Sequence, residues 1–115
     1  MGNVPGGFEP RPLTRPGRHA VIAPELGELA GPTSGTVILP HRMVWQGADR
    51  SFDLGDLDLL RWMYEIVLLE AVTVEELRTW LDGSTLVRVW PDLYLPKGVR
   101  LAWEQRHPGL RARAA

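Results

Sequence analysis

Proline and glycine are dealt unevenly along this chain, and that imbalance decides where a fold can form. Seven of the ten prolines and eight of the twelve glycines precede residue 50, and no proline occurs between Pro40 and Pro91. Proline has no amide hydrogen for a ladder and glycine no side chain to bury. Residues 1–35 are therefore expected to be a flexible Pro/Gly-rich tail, polyproline-like through Phe8-Glu9-Pro10-Arg11-Pro12 and loop-like at Gly31-Pro32-Thr33-Ser34-Gly35. A helical interaction domain is expected at 36–108 and a frayed basic tail at 109–115. A core of that size holds on the order of 3–5 kcal/mol, so the domain is one that leans on a partner.

The expected class is all-α: a small bundle of three to four short helices behind an irregular N-terminal segment. Thr36-Val37-Ile38-Leu39 is a short β-prone run stopped by Pro40, and Met43-Val44-Trp45 is an apolar hook that should pack onto the helices. The first helix is expected at about 54–71, capped by Asp53 or Asp56. Its main stripe is Leu57, Leu60, Tyr64, Val67, Leu68 and Ala71, and Leu59, Met63 and Ile66 with Trp62 form a second. Thr73-Val74-Glu75-Glu76 fits a capping box for a second helix, with Gly83 in a left-handed terminal position. Ser84 would cap a third helix ended by Pro91, and Pro96 would open a fourth over about 97–106.

Charge is sorted along the chain more than its net −1 suggests. Residues 49–82 carry nine acids against three arginines, and residues 97–115 carry five basic residues against Glu104. With no cysteine, disulfides and thiolate metal sites are excluded. The start lacks the basic and apolar regions of a signal peptide, and acids and Arg61 interrupt the apolar run from Leu57 to Val74. The expected location is the cytoplasm, with no membrane partner.

Chemistry finds few candidates. Asp53, Asp56 and Asp58 could share a magnesium ion as nucleotidyltransferase carboxylates do, but acids are also favoured at the start of a helix. His19, His41 and His107 show no ligand spacing, and no serine lies in a nucleophile elbow. No catalytic residue, metal, cofactor or small-molecule substrate is therefore expected, and the chain is read as a non-enzyme. Residues 72–90 have the order of a helix-turn-helix, which keeps a small DNA-binding transcriptional regulator as the alternative. Against it, Arg78 stands where a small residue belongs, and Arg88 is the only basic side chain of the second helix.

One further pattern spans Leu39 to Leu110. Leu39-Pro40-His41-Arg42, Trp45, Phe52-Asp53-Leu54, Met63 to Ala71, Trp90-Pro91-Asp92-Leu93-Tyr94-Leu95-Pro96 and Ala102-Trp103-Glu104-Gln105-Arg106-His107-Pro108 occur in that order. The chain thereby resembles small actinobacterial antitoxin-like proteins encoded beside nucleotidyltransferase toxins of the AbiEii abortive-infection type. Gln46 departs from that pattern, which has a second aromatic there, and the N-terminal 35 residues lie outside it. The resemblance implies a partner, the cognate toxin, that this chain neutralises by direct complex formation. The expected partner-binding residues are Trp62, Met63 and Ile66 of the second stripe, then Trp90, Leu93, Tyr94 and Trp103. The basic helix adds Lys97, Arg100 and Arg106, directed at an acidic, metal-binding site on the toxin.

Overall fold

The proline-free stretch builds the central helix. A computed structural model describes residues 13–15, 18–44 and 51–114. Helix α1 spans Leu57–Glu70, and Asp56 caps it by accepting from the amides of Asp58 (3.0 Å) and Leu59 (3.2 Å). Its buried side chains are Leu60, Met63, Tyr64, Val67 and Leu68. The two expected stripes are thus unequal. Met63 belongs to the core face, Leu59 and Ile66 are partly covered, and Leu57 and Trp62 are exposed. A 3.6-residue period puts Trp62 nearly opposite Leu60, across the helix from the core.

Helix α2 (Val74–Trp80) starts as expected, with Thr73 Oγ1 accepting from the Glu76 amide at 3.2 Å. Glu76 reaches back one residue further than a capping box requires, to the Val72 amide at 2.8 Å. Helix α3 (Gly83–Val89) is capped by Asp82 rather than Ser84; the Asp82 carboxylate accepts from the Thr85 amide, the Thr85 hydroxyl and the Ser84 hydroxyl. Burial alone would raise the Asp82 pKa, but these donors, with Arg88 nearby, outweigh it and hold the carboxyl below its usual value. A depressed carboxyl stabilises the fold above its unfolded pKa, and that stabilisation is lost as pH falls through the folded value. The urea midpoint should therefore fall as pH drops below about 4, the ordinary aspartate value, and fall less steeply in Asp82→Asn.

Gly83 is not left-handed: Gly35, at φ 83°, is the one glycine with positive φ among the described residues. Gly83 instead allows a close approach. Residues 29–31 run antiparallel beside 81–83, bridged at Ala30 and Asp82, with the Gly31 amide on Leu81 O (2.8 Å) and the Gly83 amide on Leu29 O (3.0 Å). A Cβ on Gly31 would stand 2.6 Å from the Trp80 carbonyl carbon, and one on Gly83 would press into Leu26 O.

That pairing corrects the expected tail. Residues 20–35 belong to the folded body: Ala23 and Leu29 are buried, Leu26–Glu28 form a 3-10 turn, and Glu28 is paired with Arg78 of α2. Within 20–35 no strand forms beyond the Ala30–Asp82 bridge, but a few apolar side chains suffice to seat the segment on the helices.

The class is mostly helical rather than all-α. Strands β1 (Leu13–Arg15) and β2 (Arg18–His19) pair antiparallel. Strands β3 (Thr36–Ile38) and β4 (Ser51–Asp53) form a second antiparallel ladder, Val37 opposite Phe52, both buried. The turn into β3 places Gly35 O to accept from the Leu54 amide at 2.8 Å. The β-prone run at 36–39 pointed to β3; β4 is three residues long and runs almost directly into α1. Met43 and Val44 of the expected hook are buried, whereas Trp45 lies outside the described residues.

Helix α4 (Lys97–Arg106) follows Pro96, and α5 (Pro108–Ala114) forms where a frayed tail was expected. Pro108 suits a first helical turn, and Leu110, fully buried, anchors it.

Candidate functional site

The segment Trp90 to Pro96 carries the most distinctive motif, and its residues alternate in role. Trp90 opens a 3-10 turn, Trp90–Asp92, and is fully buried, its indole nitrogen donating to Glu104 at 2.9 Å. Leu93 also points inward. Tyr94 is 88% exposed, while its backbone amide donates to Glu65 Oε2 of α1 at 2.7 Å. Asp92 faces Arg61, which also pairs with Asp58. The motif is thus a clip that joins α3 to α4 and fastens both to α1.

Arg100 locks the clip from below. Its guanidinium donates to Trp90 O at 3.2 Å and to Leu93 O, and lies 5.1 Å from the centre of the Trp90 ring. Replacing it with lysine keeps the charge but loses the planar fork that serves two carbonyls at once. Arg100→Lys should cost about 1–2 kcal/mol in urea denaturation. Arg106 is engaged too, its Nε donating to Pro24 O at 3.2 Å, and the neighbouring His107 donates from Nε2 to Ala23 O at 2.7 Å.

These contacts redistribute the expected partner-binding residues. Met63, Trp90, Leu93 and Trp103 are in the core, where they cannot meet a partner without unfolding. Trp90 and Trp103 pack with ring centroids 6.2 Å apart, and Trp103 stacks in turn near His107. Ile66 is half covered. Arg100 and Arg106 direct donors at the chain's own carbonyls, so charge reversal there would report stability before it reported binding. Trp62, Tyr94 and Lys97 remain at the surface. Spacing alone could not separate Trp62 from Met63, since adjacent residues on a helix differ by 100° and a continuous apolar run hides which one faces in.

The other chemical candidates resolve locally. Asp53 accepts from the Gly55 amide (2.8 Å), Asp56 caps α1 and Asp58 pairs with Arg61. Among the described residues no group of three or more histidine, aspartate or glutamate side chains is placed to hold a metal ion. No helix among them is long and apolar enough to cross a membrane. In the α2–α3 unit, α3 buries Gly83, Thr85, Leu86 and Val89, leaving Ser84 and Arg88 exposed.

Set against known families, curated proteins and solved structures, the chain matches none.

One surface that stays open is a side of α1 with the clip beside it. Trp62, 46% exposed, rests its ring edge-on against Phe52, with centroids 5.6 Å apart. Asp58 lies one turn before Trp62 and Glu65 one turn after. The hydrogen bond from Tyr94 to Glu65 sets that tyrosine alongside the same stretch of helix.

Proposed function

We propose that this chain is an antitoxin-like protein-binding module, which neutralises a nucleotidyltransferase-type toxin by direct complex formation and contributes no chemistry of its own. The observation that carries the reading is the exposure of Tyr94 and Trp62 on a body whose core is already filled by Trp90, Trp103, Tyr64 and Phe52. Large aromatics left in water on a finished fold suit a binding surface, because they bury much area at little entropic cost. The resemblance of Trp90 to Pro96 and of Ala102 to Pro108 to the antitoxin-like proteins supplies the class of partner. The DNA-binding alternative draws less support, since the solvent side of α3 offers a single basic residue, Arg88.

Co-expression with the product of the adjacent reading frame tests the proposal. The expected result is growth rescue from a toxic neighbour, with the two proteins co-eluting on a sizing column. A toxic neighbour that is neither rescued nor bound would refute it, and a salt-dependent shift of promoter DNA by the isolated chain would favour the alternative.

A further inference from the structure

Resting on the protein-binding reading above, we infer that the docking face is the Trp62–Tyr94 side of α1 and that its occupant is a basic protein surface, one presenting lysine or arginine around an apolar centre. The charge pattern decides the sign. Asp58 and Glu65 lie one turn to either side of Trp62, Asp92 lies two residues before Tyr94, and among the described residues of this group the one cation, Arg61, is already shared between Asp58 and Asp92 at 2.9 and 3.7 Å. The Asp58 side chain is 88% exposed and that of Asp92 62%. The N-terminal end of the same helix adds Asp53 and Asp56. An apolar centre within a charged rim is the usual anatomy of a specific interface, and a rim of one sign selects a partner of the other while rejecting its own.

A second copy of this chain is a poor occupant. Arg100 and Arg106 direct donors at the carbonyls of Trp90, Leu93 and Pro24, and Arg111 faces Glu104 at 4.0 Å. Arg100 and Arg106 are thus turned to the chain's own fold, while Lys97 and Arg111 stay exposed. On this proposal the acidic side of α1, rather than α4, meets the partner.

The test is calorimetric titration of the purified chain against the purified product of the adjacent reading frame, at low and at high salt. Tyr94→Ala is the main variant, because a side chain so exposed can be removed without emptying the core; circular dichroism checks that the fold is kept. Tyr94→Ala should weaken binding about ten-fold or more. Asp58→Asn with Asp92→Asn should weaken it at low salt and flatten the salt dependence. Arg88→Glu, on the solvent side of α3 and away from this face, should stay within about two-fold of the parent. A complex that forms but ignores the Tyr94 and aspartate changes overturns this placement and leaves the protein-binding reading intact. No complex from the parent chain overturns both. Self-association of the isolated chain that Tyr94→Ala abolishes would give the face to a second copy and overturn the assignment of the occupant.

Discussion

Gly83→Ala should lower the stability of this protein by about 3 kcal/mol, near the top of what single substitutions do. Helix propensity alone gives the opposite sign, because Gly83 is the first residue of α3 and alanine is favoured over glycine in a helix by about 1 kcal/mol. The close approach decides between them. A Cβ at Gly83 runs into the backbone oxygen of Leu26, which no rotamer change can move aside. Relief requires the 26–31 segment to lift from α3, breaking the Gly83–Leu29 and Gly31–Leu81 hydrogen bonds and uncovering Leu29. Gly109→Ala is the internal control, since its added Cβ, also within a helix, meets nothing within 4 Å. Urea midpoints moving in opposite directions for the two alanines would establish the contact. Two small shifts of the same sign would show that the segment is not held there.

Trp90→Ala should be costlier still, about 3–5 kcal/mol from lost burial and the cavity left behind. Three further interactions go with the ring. The indole N–H no longer serves Glu104, Arg100 loses the aromatic face beneath it, and Trp103 loses its ring neighbour. On a domain of marginal stability the variant should show no cooperative melting transition by near-ultraviolet circular dichroism. Trp90→Phe separates packing from hydrogen bonding. It keeps most of the ring and gives up the bond to the Glu104 carboxylate, so a loss of about 1.5–3 kcal/mol is expected. Retained cooperative melting in Trp90→Ala would mean that the clip is peripheral to the fold.

How much of this was legible in the sequence depended on whether the signal was local. The caps at Asp56 and Thr73, the run from Leu60 to Ala71 and the helix after Pro96 are written in neighbouring residues, and they form where the pattern places them. Ala23, Leu29 and Gly31 carry no such pattern. Their burial depends on residues some fifty to eighty positions away, which a composition rich in glycine and proline conceals. Gly83 illustrates the limit: a glycine after a helix suggests a left-handed cap, but here it opens the next helix against Leu26. The candidate site divides in the same way. A tryptophan-rich, arginine-bearing helical domain suggested a surface, yet four of the ten expected residues lie in the core and two arginines bind the chain's own carbonyls. The spacing of Trp90 and Arg100 contains nothing to distinguish a bound carbonyl of the same chain from an anionic partner.

The bond from His107 to Ala23 O and that from Arg106 to Pro24 O join residues more than eighty positions apart. Such a closure carries a loop-entropy cost and places the fold among those with slow, non-local steps. During synthesis from the N-terminus, residues 20–31 emerge first and wait. They cannot take their seats until α3 and the end of α4 have left the ribosome, so this body is completed only once Arg106 and His107 have emerged.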